Sequence, residues 1–173
     1  MPESHNNLWA PWRMQYIRSL EQEEADHGCF LCRYHSAPEQ DESNHVLWRT
    51  PHAFVVMNRF PYTNGHLLVA PAAHEPDLAA LDDASLLDMT QAIRDGVAVL
   101  EQTIRPQGFN IGYNLGRCAG AGLPGHLHAH IVPRWSGDTN FMAIIGEARV
   151  IPDSLDALAA ELVKTATHAG LRS

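Results

Sequence analysis

The sequence is poor in basic side chains, in long apolar runs and in cysteine, and each shortage excludes a class of protein. Lys and Arg number 12 against 20 Asp and Glu, a formal net charge of −8. Binding to long nucleic acid rests on basic patches that displace counterions. With no Lys/Arg run, no nucleic-acid partner is expected. A small phosphorylated ligand is still open, because backbone N–H groups and a few side chains hold one without net positive charge. No apolar run approaches the ~18 residues of a membrane span. The segment Met1-Pro2-Glu3-Ser4-His5 has neither the basic flank nor the apolar stretch of a signal peptide. The reading is therefore a cytoplasmic protein without a membrane partner. The 3 cysteines are an odd count, which argues against a disulfide-stapled secreted scaffold. No repeat of about 20–50 residues and no low-complexity tract is found. What is present is a chain of 173 residues, 45% apolar and 18% charged, enough for one domain with a sizeable core.

Short apolar runs separated by turn residues dominate the middle of the chain. The first 28 residues read as a short helix (Trp12, Met14, Tyr16, Ile17, Leu20) followed by an acidic stretch, and residues 36–44 as a polar loop. Strands are expected at 45–48, 53–57, 66–70, 109–113 and 127–132. Asn64-Gly65 marks a tight turn that makes the second and third of these antiparallel neighbours. Asp82 or Asp83 caps a helix running to about residue 104, with Leu86, Ile93, Val97, Leu100 and Ile104 as its apolar stripe. A last helix is expected over about residues 153–167. Five short strands with segregated helices predict an α+β fold built on a five-stranded antiparallel sheet.

Histidine, with 11 copies, is the anomaly. Three alternate in Gly-His126-Leu-His128-Ala-His130-Ile-Val. On a strand, every second side chain projects from one face, about 6.6–6.8 Å apart. The spacing thus predicts that His126, His128 and His130 share a wall, with Leu127, Ala129 and Ile131 facing the core. Imidazoles side by side repel when charged, so their pKa values spread, and a neutral ring beside a charged one is a nucleophile beside an acid. The preceding loop, residues 116–125, has four glycines in ten residues (Gly116, Gly120, Gly122, Gly125) and lets backbone N–H groups approach a phosphate. Cys29-Phe-Leu-Cys32 supplies half of a zinc site, and the other two ligands could come from His27, His35, His45, His74 or His126.

The pattern His126-Leu-His128-Ala-His130-Ile-Val, with Gly65-His66-Leu-Leu-Val-Ala-Pro71, the step to His74, and Ile131-Val-Pro-Arg134, resembles the histidine triad (HIT) family over about residues 25–140. Leu8-Trp-Ala-Pro-Trp-Arg and Pro133-Arg-Trp-Ser-Gly-Asp-Thr-Asn-Phe141 look like its diadenosine tetraphosphate phosphorylase-like branch. The resemblance implies one HIT domain with extensions at 1–24 and 141–173. It also implies a homodimer that joins two sheets, with Trp135 and the segment to Phe141 reaching the partner's site. His128 would attack the α-phosphorus of an adenine nucleotide and form a phosphohistidine. His130 would bind a phosphate oxygen or assist the leaving group, and His66 would be a further active-site histidine. Asn58 would contact the ribose, and Asn114 with Gly120, Gly122 and Gly125 would hold the phosphates. For the metal, the resemblance selects Cys29, Cys32, His74 and His126 as the ligands of a structural zinc, with Cys118 a bystander.

One departure stands out. Many HIT hydrolases carry Gln four residues before the first triad histidine, and here that place holds Gly122. A more open site would admit inorganic phosphate as second nucleophile, which favours phosphorolysis of diadenosine tetraphosphate to ATP and ADP. The competing readings are a hydrolase of dinucleoside polyphosphates or adenosine phosphoramidates, and a nucleotide-binding module without turnover. A galactose-1-phosphate uridylyltransferase relative is disfavoured by His130, since that family usually has Gln there, and by the chain length.

Overall fold

The computed structural model describes residues 28–138 and 154–172. The helix expected within the first 28 residues and the segment from 139 to 153 lie outside these. One sheet of five antiparallel strands organises the chain: β1 Val46–Arg49, β2 Ala53–Met57, β3 Leu67–Pro71, β4 Gly108–Tyr113 and β5 Ala129–Arg134, in spatial order β1-β2-β3-β5-β4. Among the described residues three α-helices accompany it: α1 Phe30–Ser36, α2 Asp83–Ile104 and α3 Leu155–His168. The α+β class and the strand count agree with the sequence reading.

Strands β2 and β3 are buried at every position, because both faces of the sheet are covered there. One face packs Trp48, Leu67, Val69 and Ile131 against α2 and α3. The other packs Phe54, Val56, Leu68 and Ala70 against Leu31 and Tyr34 of α1 and against Leu123 of the glycine segment. His130 pairs across the ladder with Leu68. Directly paired residues share a face, so His130 stands on the α1 side. The site is therefore built on the face opposite the long helices.

The turn before His66 is where glycine is required. Gly65 has φ +75, and a Cβ there would meet Ile104 Cδ1 at 2.6 Å. Asp82 is the cap of α2, its carboxylate accepting from Ser85 N at 2.8 Å. The buried face of α2 keeps Leu100 of the expected stripe but is centred on smaller residues. Ser85, Met89, Ala92, Gly96, Val99 and Leu100 face the sheet, while Ile93, Val97 and Ile104 flank them partly buried. Small residues win that face because the helix lies close on β5: a Cβ on Gly96 would be 2.8 Å from Ile131 Cδ1.

Three further differences matter. Residues 30–36, where no element was expected, form α1; seven residues are too few for a periodic signal, and burial of Leu31 and Tyr34 fixes them. A 3-10 turn at Pro38–Gln40 interrupts the polar loop. Strand β5 begins at Ala129, two residues late, and runs through Pro133. Ahead of it, Leu127 N donates to Glu75 O at 2.6 Å instead of joining the β3 ladder. At the far edge, Arg172 donates to the carbonyls of Val46 and Leu47, and His45 meets Asp156 at 2.7 Å, which ties the segment after α3 to β1 and the first turn of α3 to the residue before β1.

Candidate active site and metal centre

The late start of β5 breaks the expected row of three imidazoles. His126 and His128 lie ahead of the strand and only His130 is on it. Pulled aside by the Leu127–Glu75 bond, His126 is fully buried and turns its ring toward the cysteines rather than the shared wall. Its Nε2 lies 2.9 Å from Pro71 O. A carbonyl only accepts, so the proton is on Nε2 and the lone pair on Nδ1. Nδ1 is 3.2 Å from Cys29 Sγ and 3.5 Å from Cys32 Sγ, and His74 Nδ1 is 3.1 Å from Cys32 Sγ. The four ligand atoms of Cys29, Cys32, His74 and His126 lie within 4.8 Å of one another, the one such group among the described residues.

This cluster could hold a metal ion. Tetrahedral zinc, at about 2.3 Å from sulfur and about 2.0–2.1 Å from nitrogen, places neighbouring ligand atoms about 3.5 Å apart, close to the spacing seen. The Pro71 bond is the outer contact that orients a ligating histidine. Burial pulls the His126 ring down to about 4, which keeps its lone pair available. Burial also pushes the Cys29 thiol up to about 11, so a bound cation is what would draw off that proton. Cys118 is exposed and apart from the cluster.

His128 has the opposite arrangement. It is 8% exposed, and its Nδ1 donates to the carbonyl of His126 at 2.9 Å. The proton is thus on Nδ1 and the Nε2 lone pair is unused by that bond. Burial, opposed by the carbonyl contact, lowers its pKa. Its ring is 5.0 Å from that of His130, edge to face. His130 Nδ1 is 2.9 Å from His66 Nε2, and Tyr62 lies over both rings, with centroids 4.5 and 5.8 Å away.

His128 and His130 line a cavity of about 410 Å³, within the range of roughly 300–1,000 Å³ usual for small-ligand sites. Gly120 and Gly122 form part of the same wall, as does Asn58. The side chain of Asn58 is, however, turned toward His66 Nδ1 at 3.2 Å. Asn114 sits just past β4, its amide 3.4 Å from His130 Nε2. Four expected residues, His66, Asn114, Gly125 and His126, are not on the wall of this cavity. Gly125 sits in the turn that delivers His126 to the cysteines, and His126 meets the cavity residue His128 through its carbonyl, which accepts from His128 Nδ1. Sequence reasoning missed Phe30, Tyr34, Phe60, Tyr62 and Arg59, which also line it. Arg59 donates to Tyr34 Oη at 3.3 Å. The one available signal was the length of the 58–66 connection, too long for a bare hairpin turn.

Residues 39–137 match the model of the HIT domain. The chain belongs to the HIT family. It is 36% identical over 151 residues to an AP-4-A phosphorylase of Mycobacterium tuberculosis, covering 86% of this chain and 77% of that protein. It is 34% identical over 93 residues to the asymmetrical bis(5'-nucleosyl)-tetraphosphatase of Schizosaccharomyces pombe, covering 54% of this chain and 50% of that one. A solved structure of a zinc-bound histidine triad family protein from Mycobacterium smegmatis superposes with a TM-score of 0.64 at 23% identity, covering 80% of this chain and 95% of that one. In HIT terms, the triad of this chain is His126, His128 and His130, and the first member is set apart from the other two. No helix among the described residues is long and apolar enough to cross a membrane.

Proposed function

We propose that this HIT protein is a nucleotidyltransferase acting on the α-phosphate of adenine dinucleotides, with diadenosine tetraphosphate phosphorolysis as its reaction. The observation that carries this is the state of His128: its Nδ1 proton is tied to the His126 carbonyl, and its Nε2 lone pair belongs to a ring on the cavity wall. Nε2 attacks the α-phosphorus, an N–P bond forms, the bond from the α-phosphorus to the bridging oxygen breaks, and ATP leaves. Inorganic phosphate then attacks the same phosphorus from the vacated side, the N–P bond breaks and ADP is released. Splitting the displacement in two is what a covalent nucleophile contributes. Gly120, Gly122 and Asn114 border the phosphates, and His130 donates to a phosphate oxygen. The aromatic residues Phe30, Tyr34 and Phe60 supply an apolar end for the base.

Gly122 favours phosphate over water as the second nucleophile, since no side chain occupies the place of the hydrolase Gln. Hydrolysis to ATP and AMP is the second reading, and the 34% identity to a tetraphosphatase favours it. The assay is incubation with diadenosine tetraphosphate and radiolabelled phosphate. Label in ADP, with ATP as co-product, is the expected result. Unlabelled AMP assigns the hydrolase, and absence of turnover with nucleotide still bound assigns the binding module.

The metal is proposed to be zinc, held by Cys29, Cys32, His74 and His126. It would act as a closed structural clamp with no open position for substrate. The chain is proposed to act as a cytoplasmic homodimer of one HIT domain (residues 25–140) with its extensions. The support is β4, an edge strand with Ile111 48% exposed and its neighbours Asn110 and Gly112 also exposed. A monomer mass by sedimentation overturns the dimer.

A further inference from the structure

Asn58 spends both ends of its side chain inside the protein. It is 7% exposed. Its Oδ1 accepts from Phe60 N at 3.0 Å, which fixes the orientation of the amide. Its Nδ2 therefore faces His66 Nδ1 as a donor, at 3.2 Å. The backbone N–H of Tyr62 aims at the same Nδ1 from 3.1 Å, and a backbone N–H can only donate.

Two donors converging on one nitrogen decide where the proton of His66 sits. Nδ1 must be bare, so the proton is on Nε2. From there it is donated to His130 Nδ1 at 2.9 Å. His130 Nδ1 is then an acceptor, and the proton of His130 is on Nε2, the nitrogen beside Asn114. A second proton on either ring would set two donors face to face, at Tyr62 in one case and between the two rings in the other. The pair therefore holds one arrangement of protons. The amide nitrogen of Asn114, 3.4 Å from His130 Nε2, is also 3.5 Å from Gly120 O. With Nε2 protonated these two N–H groups face each other as donors, and an anionic oxygen accepting from both relieves that contact.

We propose that Asn58 is a positioning residue that, with the Tyr62 amide, locks His66 and His130 in a single tautomer and so makes His130 a permanent hydrogen-bond donor toward substrate phosphate. This rests on the nucleotidyl transfer proposed above and gives Asn58 a role other than the ribose contact that the family resemblance implies. It also defines what His130 does. Held as a fixed donor, His130 stabilises charge on the phosphoryl group.

The test is NMR of isotope-labelled histidine side chains in the full chain, joined to steady-state kinetics. In the unmodified protein both His66 and His130 are expected as Nε2–H tautomers; a proton on His66 Nδ1 overturns the proposal whatever the variants do. Asn58→Asp keeps the shape and the acceptor for Phe60 but replaces the donor with an acceptor. It is expected to bring a proton onto His66 Nδ1 and to lower kcat about 10²-fold with KM unchanged. Asn58→Ala, which removes the donor without adding charge, is expected to give a mixture of His66 tautomers. Unchanged tautomers in both variants, with the loss falling on KM, overturn the proposal in favour of a ribose contact. If the unmodified protein turns over no dinucleotide, nucleotidyl transfer fails while the tautomer measurement still decides the lock.

Discussion

Two histidines two residues apart, His126 and His128, are both buried and both tied to a backbone carbonyl, yet they are fitted for opposite work. In His126 the carbonyl of Pro71 takes the Nε2 proton, and the Nδ1 lone pair points at Cys29 and Cys32. In His128 the carbonyl of His126 takes the Nδ1 proton, and Nε2 is left for the cavity. The ring is the same, and its chemistry is chosen by which nitrogen the backbone occupies. The two poles are also in series, since the residue that would hold the metal supplies the carbonyl that orients the nucleophile.

That contrast can be broken from either side. The largest effect is expected from His128→Ala. With the nucleophile removed, kcat should fall at least about 10⁴-fold, while metal content and thermal melting stay near those of the unmodified chain. Equal loss of metal would mean that the poles are one unit. Cys32→Ser strikes the other pole. A ligand bound at a hundredfold above its Kd adds about 2.7 kcal/mol to stability, or about 5–10 °C in Tm for a chain of this size. Metal analysis and calorimetry should show both losses. Because His126 also positions His128, kcat should fall about tenfold; an unchanged kcat would show that the carbonyl holds its place without metal. The smallest effect is expected from Arg59→Ala, which removes a cation from the cavity wall and touches neither pole. KM should rise about tenfold with kcat unchanged, and a fall in kcat alone would place Arg59 in the chemistry.

Much of this molecule is legible in its sequence. The strands are short apolar runs between turn residues, and Asn64-Gly65 before β3 and Asp82 at the start of α2 mark boundaries by local chemistry that acts without the rest of the fold. The triad is legible as a pattern, but its geometry is not. Alternation places three side chains on one face only where all three residues are on the strand, and the bond from Leu127 to Glu75, more than fifty residues earlier in the chain, ends the strand short of His128. The stripe of α2 is off-centre for a related reason: Leu100 is buried as expected, while Ala92 and Gly96 carry little hydrophobicity, yet their small size is what lets the helix settle on Ile131. The proton arrangement around Asn58 was beyond reach, because it depends on where the 58–66 loop sets two N–H groups in space.

The tie from Arg172 to the carbonyls of Val46 and Leu47 has a consequence for assembly. It occupies one rim of the sheet, where β1 is four residues long and its register slips between Val46 and Trp48. Short, kinked, covered borders of this kind resist growth by strand addition. Among the described residues, the rim left for strand addition is the other one, β4. In the proposed dimer, joining two such chains about a two-fold axis would use up that opening in both, and the assembly would close at a pair instead of running on into a fibre.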